Sequence, residues 1–218
     1  MSSPSVSDRK AYAIISVMYR QLLLASSLLL GATFSTTANQ TALVKIPTEI
    51  KPFIEPGTIP LAIKSADLNG DTLSDYLLIL EKQKKSASDP EIEEGQRPLL
   101  ILTRQKDGKL KAQKRNEKIV LSKTSGGTFG DPLENIEVGT KTFTIRHYGG
   151  SAWRWTTKVR FNYSRIDSTW QLVRVEHSEY HVGAPDKIKT TIETPPKHFR
   201  KIDISDFDPD NYKGKGGK

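Results

Sequence analysis

Three aspartates and an asparagine, Asp67, Asn69, Asp71 and Asp75, fall within the run SADLNGDTLSDYLL. They are hard oxygen donors at alternate positions, the spacing by which a coiled loop gathers ligands around a divalent cation. Counted from Asp67, they stand at positions one, three, five and nine. Leu73 is at position seven, where a backbone carbonyl can serve. Carboxylates converging without a cation repel one another, and a calcium ion would turn that repulsion into attraction. Asn69 adds a neutral oxygen and limits the charge. The competing expectation is an acidic turn. Asn69-Gly70 is a strong two-residue hairpin signal, and aspartates cap turns. A plain hairpin accounts for Asn69 and Gly70, but not for Asp75 or for acids two residues to either side of Asn69.

An EF-hand would need a glutamate at position twelve and helices on both sides. Position twelve is Leu78, inside a predicted strand. The run instead resembles the Asp-x-Asn-x-Asp-x-x-x-Asp loops of FG-GAP and VCBS-type exported proteins, which lie between β-strands. That resemblance implies a structural Ca2+ held by Asp67, Asn69, Asp71 and Asp75, with the Leu73 carbonyl as a further ligand. Thr72 stands where the pattern carries glycine, and a threonine is expected to avoid the left-handed backbone that glycine accepts. Across most of the chain, the order of the acidic loop, GGTFGDP and HYGGSAWRW is similar to uncharacterised exported bacterial proteins. This implies export and a β-rich fold, not a reaction.

Other residues could do chemistry, each against a plainer reading. His177, Glu179 and His181 in HSEYH share one strand face, a set that transition metals accept, but a lone strand cluster is more simply a polar face. Asp206, Asp208 and Asp210 alternate, but Pro209 interrupts them and no closing carboxylate follows. Ser151 follows two glycines without a nucleophile elbow. SGGTFG has no Gly-Lys-Ser/Thr, so it is not read as a phosphate loop. A hydrolase would need paired acids or histidine, for which Glu134, Glu137 and His147 are the candidates. Arg154, Lys158 and Arg160 alternate along one strand and could meet a polyanion. Trp153 and Trp155 share the face of Val159 and Phe161, so both are expected in the core.

The elements that must position these residues are strands. Odd positions from Trp153 to Tyr163 are largely apolar and even positions basic or polar, the period of a strand with one wet face. KTFTIRHY puts Phe143, Ile145 and His147 on one face. WQLVRVEHSEYH shifts its apolar phase between Leu172 and Val173, which predicts a bulge or burial on both faces. LAIKSA, DYLLILE and PLLILTR are further short strands. No long amphipathic helix and no internal repeat is present. The predicted fold is a mainly β, antiparallel, sandwich-like or curled single domain over 59–200. Residues 39–58 form an extended, proline-rich lead-in, 82–97 an exposed loop, and 201–218 a polar, partly disordered tail.

The formal net charge is +8 and there is no cysteine. The first attracts anions; the second excludes disulfides, thiol catalysis and cysteine-ligated metals. RQLLLASSLLLGATFSTTANQ has a basic start, an apolar run and small residues at Thr36 and Ala38, the layout of a secretory signal peptide over 1–38. Met18 offers an alternative start, and an uncleaved anchor over 14–34 is the rival, interrupted by Arg20 and Gln21. The expectation is an exported, periplasmic or extracellular, non-enzymatic module with one structural calcium loop and an envelope ligand or protein as partner.

Overall fold

DYLLILE and PLLILTR have no polar face because neither face meets water. In the computed structural model, which describes residues 45–83 and 96–213, they form the middle of a four-stranded antiparallel sheet. Its strands run in chain order: β1 (Thr58–Ala66), β2 (Asp75–Lys82), β3 (Arg97–Arg104) and β4 (Leu110–Val120). Leu77, Ile79, Leu99 and Ile101 point to one side, into the main core. Leu78, Leu80, Leu100 and Leu102 point to the other, under a 3₁₀ helix at Thr48–Phe53 whose Ile50 is fully buried. The proline-rich lead-in therefore ends as the cover of a sheet face. Its prolines forbid a longer helix, and a 3₁₀ turn suffices to seat one apolar residue.

The second sheet has five antiparallel strands, also in chain order: β5 (Leu133–Gly139), β6 (Thr142–Gly150), β7 (Trp153–Ser164), β8 (Thr169–His181) and β9 (Lys189–Glu193). Phe143, Ile145, Val159, Phe161, Trp170, Leu172 and Val175 join the core that the first sheet lines from the other side. The opposite face of this sheet is polar. The apolar phase shift in β8 is a bulge at Val173: Arg160 faces Arg174, but Phe161 faces Leu172. Skipping one residue restores Leu172 and Trp170 to the core side.

The domain does not stop at residue 200. Phe199, Ile202, Ile204, Phe207 and Tyr212 are all buried in the shared core. Asn116 fixes this segment: its amide donates to the Ile204 and Phe207 carbonyls, and its oxygen accepts from the Lys118 and Ile119 amides. Asp203 accepts from Lys114 Nζ at 2.8 Å and caps the short 3₁₀ turn at Ile204–Asp206. The segment reads as polar because its apolar residues are spaced singly, yet each is seated on a strand. The ends of the loop predicted over 82–97 are not loop. Lys82 and Arg97 belong to strands, and Arg97 is 1% exposed because Glu81 and Asp131 both bind its guanidinium. Residues 1–44, which include the segment expected to be a signal peptide (1–38), and residues 84–95 and 214–218 lie outside the described residues.

Candidate functional site: an acidic loop and a half-covered cavity

The acidic run is neither a two-residue hairpin nor a tight carboxylate cluster. The last strand pair is Ala66 with Asp75, so the whole of 67–74 forms the connection. Asp67 coils it: one carboxylate oxygen accepts from the Gly70 and Asp71 amides at 2.7 and 3.1 Å, the other from Thr72 at 3.1 Å. Asn69 Oδ1 then takes the Asp71 amide, and Asp71 Oδ1 the Leu73 amide. Thr72 does not avoid the left-handed region; its φ is +75°. The amide bond to Asp67 holds it there, in a conformation that disfavours a side chain with a Cβ.

Asp75 stands apart from the other three. It is 0% exposed, and its two oxygens accept the Leu68 and Arg104 amides, both at 2.9 Å. Burial pushes its pKa up, with Asp71 and Asp67 adding to the rise, while the two amides oppose it. Asp75 thus locks the loop to β3. On the other side, the loop is tied to the second sheet. The Asp67 carbonyl accepts the Lys141 amide at 2.9 Å, and the Leu68 carbonyl accepts Trp170 Nε1 at 2.8 Å. The Lys141 side chain lies across Gly70 so closely that a Cβ there would stand 1.8 Å from its Cε. Among the described residues, no three acidic or histidine side chains are grouped as a metal ion requires.

A cavity of about 450 Å³ opens on the inner face of the second sheet. Strand register builds its floor. His147, Thr157, His177 and Thr191 form one row across β6 to β9, and Ile145, Val159, Val175 and Glu193 form the next. Trp155 makes one wall. Gly149, its partner on β6, leaves the space for it; a Cβ there would stand 2.6 Å from the indole. Ile119, Leu121 and Phe207 add apolar walls, and Tyr212 and Lys213 lie at the edge. The first sheet and the C-terminal segment cover the core end of β7, but the strand runs on past them.

The polar groups of the cavity are held by neighbours. Burial, then the Arg97 charge, lowers the His147 pKa to about 4 against the pull of Asp131. Its Nε2 accepts the Leu121 amide at 3.3 Å, which leaves the ring proton on Nδ1. His177 Nδ1 is 3.1 Å from Thr157 Oγ1. Glu193 bonds to the Tyr212 hydroxyl and, at 2.8 Å, to Lys213 Nζ. Burial pushes the Glu193 carboxyl up, but those two bonds keep it below its usual range; the Tyr212 hydroxyl is driven up by burial and by the carboxylate.

The remaining candidates are dispersed. Trp153 is not in the core; it is 61% exposed and meets His181 edge-on at 5.2 Å. It shares the phase of Phe161, but among the described residues no element reaches far enough to cover it. Glu179 lies 4.0 Å from His177 and 3.6 Å from Lys189, and His181 accepts the Gly183 amide. Glu134 and Glu137 belong to the outer face of the second sheet, where Glu134 pairs with Arg146, whereas His147 belongs to the inner face. The sheet itself divides that trio. Ser151 is exposed at the β6–β7 turn. Asp208 accepts from Lys118, and Asp206, Asp208 and Asp210 are not grouped as a metal ion requires. Arg154 stacks over Phe129 at 3.9 Å, Lys158 pairs with Glu176, and Arg160 bonds to Thr144. Thr157, Thr191, Glu193 and Tyr212 complete the cavity without any sequence motif; only the strand phase of Thr157 hinted at its face.

Fold and site together define a two-sheet antiparallel β protein with one half-covered inner face. No protein-family model, curated protein or solved structure matches the chain.

Proposed function

We propose that the chain is a non-enzymatic binding module whose inner-face cavity takes a small, uncharged ligand with an apolar body and a hydrogen-bonding end. The observation that carries this reading is the division of the lining. Trp155, Val159, Val175, Ile119 and Phe207 offer apolar contact, and Thr157, His177 and Thr191 offer polar groups in one row. Small-ligand sites have this composition and size. The ionisable groups orient rather than activate: His147 is neutral at ordinary pH, and Glu193 already serves Tyr212 and Lys213. The test is fluorescence titration of the full chain with the uncharged dye N-phenylnaphthylamine. Saturable binding that Val175→Trp abolishes supports the cavity. Binding that is absent, or indifferent to Val175→Trp in a variant that melts cooperatively, rejects it.

A second reading concerns the acidic loop. Asp67, Asn69 and Asp71 share one partly exposed coil; Asp67 Oδ1 accepts two amides, but Asp67 Oδ2, Asn69 Oδ1 and both Asp71 oxygens each accept a single hydrogen bond and keep a lone pair. That donor set, with the Leu73 carbonyl and water, suits a hard cation. Asp75 fits less well, since it is buried and both its oxygens already accept backbone amides. We propose that calcium, where it binds, is structural and held without Asp75, stabilising the folded state by mass action. Melting the full chain in EDTA, calcium and magnesium, beside Asp67→Ala/Asp71→Ala, decides it. A calcium-specific rise lost in the double variant supports the site, and no shift at millimolar calcium rejects it. Export belongs to the same proposal and is tested by cell fractionation and by the mature N-terminus, expected at Asn39.

A further inference from the structure

The outer face of the second sheet holds a separate pocket, of about 350 Å³, opposite the cavity just described. Four cations from three neighbouring strands line it. The register sets Arg146 beside Lys158, and Arg160 directly opposite Arg174. Like charges facing each other across strands destabilise a sheet unless neutralised. Glu176 serves two of them, accepting from Lys158 Nζ at 2.9 Å and from Arg174 Nη2 at 2.7 Å. Glu134 lies 2.8 Å from Arg146 Nε, yet out of line for a hydrogen bond, so that buried nitrogen has no acceptor. Arg160 donates from Nε to Thr144 Oγ1 at 3.2 Å, and among the described residues it has no carboxylate partner. The pocket therefore contains one exposed guanidinium with no carboxylate bonded to it among the described residues and one buried donor without an acceptor. Glu137 lies on the lining with one oxygen turned to Asn135 at 3.3 Å.

We propose that this pocket is an oxyanion site, taking a sulfate or phosphate group that bridges Arg160 and Arg174 and reaches Arg146. Guanidinium forks present paired N–H donors that match such oxygens, and the anion would relieve the Arg160–Arg174 opposition. A free ion and an ester carried on a polysaccharide present the same oxygens to these guanidinium groups. Arg154, more than one repeat further along β7 and stacked on Phe129, is not part of the site. The site is independent of the cavity reading, because it lies on the other face of the sheet.

The experiment is titration calorimetry of the full chain with inorganic sulfate and phosphate at constant ionic strength, beside elution from immobilised heparin. Variants are Arg160→Gln, Arg174→Gln and Glu137→Gln, with Lys109→Gln in the exposed β3–β4 turn as the control. Losing one charge-assisted pair is expected to weaken anion binding roughly tenfold, while Glu137→Gln strengthens it and Lys109→Gln leaves it unchanged. Inorganic anion binding that follows this order identifies a free ion. Heparin elution that follows it, with no measurable inorganic binding, identifies a polymer-borne ester. The proposal is overturned if chloride substitutes for sulfate and both arginine variants elute with the lysine control. Should the arginine variants fail to fold, an unchanged affinity in Glu137→Gln overturns it alone.

Discussion

The two sheets share one core but differ in what they leave open. In the first, β2 and β3 are buried on both faces, by the second sheet on one side and by the Thr48–Phe53 turn on the other. In the second, the outer face is wet, and the inner face is covered only along part of β7 and β8. A strand with both faces filled has no position left for a ligand. A sheet covered over part of its length carries its inward phase past the core and into a cavity. The first sheet is thus scaffold, and the second presents the groups that can meet another molecule.

The sharpest way to break this contrast is to remove the element that closes both. Phe207 packs edge-on against Phe161 at 5.5 Å and also lines the cavity. Phe207→Ala is expected to cost about 3–5 kcal/mol and to abolish dye binding. Leu78→Ala, in the first sheet's outer cluster, is expected to cost about 2–5 kcal/mol and to leave dye binding intact in the folded fraction. Denaturant melts with dye titrations measure both. Equal loss of binding in the two variants would mean that the sheets are not separable as scaffold and site.

Next in size is a pH effect centred on a residue of the second sheet. His147 is 2% exposed and its pKa falls from 6.5 to about 4 in the folded chain. The unfolded chain therefore binds a proton between those values that the folded chain refuses. Stability is present above pH 6.5 and falls as pH drops towards 4, by a quantity on the order of 3 kcal/mol. His147→Gln, which can still accept the Leu121 amide, is expected to flatten urea-melt stability over that window. Asp131 and Asp203, held low by their partners against burial, lose their contribution at lower pH still, so the variant retains an acid limb. An unchanged slope between pH 6.5 and 4 would show that His147 is not the group that titrates.

The first sheet has its own polar keystone. Asp75→Asn leaves one acceptor for the two amides of Leu68 and Arg104 and turns an N–H towards the other. The expected loss is about 1–3 kcal/mol, at the lower end because the variant also removes a buried charge. Dye binding is expected to be unaffected. Hydrogen exchange at Leu68 and Arg104 localises the change; uniform exchange across both sheets would contradict a keystone role.

How much of this could be read from sequence depended on how local each interaction is. Period-two alternation in β6 and β7 named Phe143, Ile145, His147, Val159 and Phe161 as one face, and the phase slip in β8 marked the bulge at Val173. The Asp67–Asp75 spacing marked a built loop, because every bond inside it spans a few residues. The cavity was not legible. It needs β6 to β9 in register with a segment some fifty residues beyond β7, and Tyr212 reads as polar until Glu193 is found beside it. Trp153 is exposed against its strand phase for the same reason: phase says which way a side chain points, not whether anything covers it. Asp75 resembled a ligand by spacing, but its partner is the Arg104 amide on another strand, which no local pattern encodes.

The smallest expected effect tests the loop that joins the sheets. Thr72 has φ +75°, where a residue with a Cβ is strained by roughly 1–2 kcal/mol. Glycine removes that strain, but it also gains freedom in the unfolded chain, which offsets about half of it. Thr72→Gly should therefore stabilise the protein by no more than about 1 kcal/mol. The bond from residue 72 to Asp67 Oδ2 uses the backbone amide and survives the change. If the coil binds calcium, relieving its strained residue lowers the work of holding Asp67 and Asp71 in place, and the calcium-dependent rise in melting temperature should be larger in the variant. If the stability gain appears with no calcium dependence in either form, the coil is a turn stabilised by its own amides. A loss of stability would mean that the Thr72 side chain contributes a contact outweighing its backbone strain.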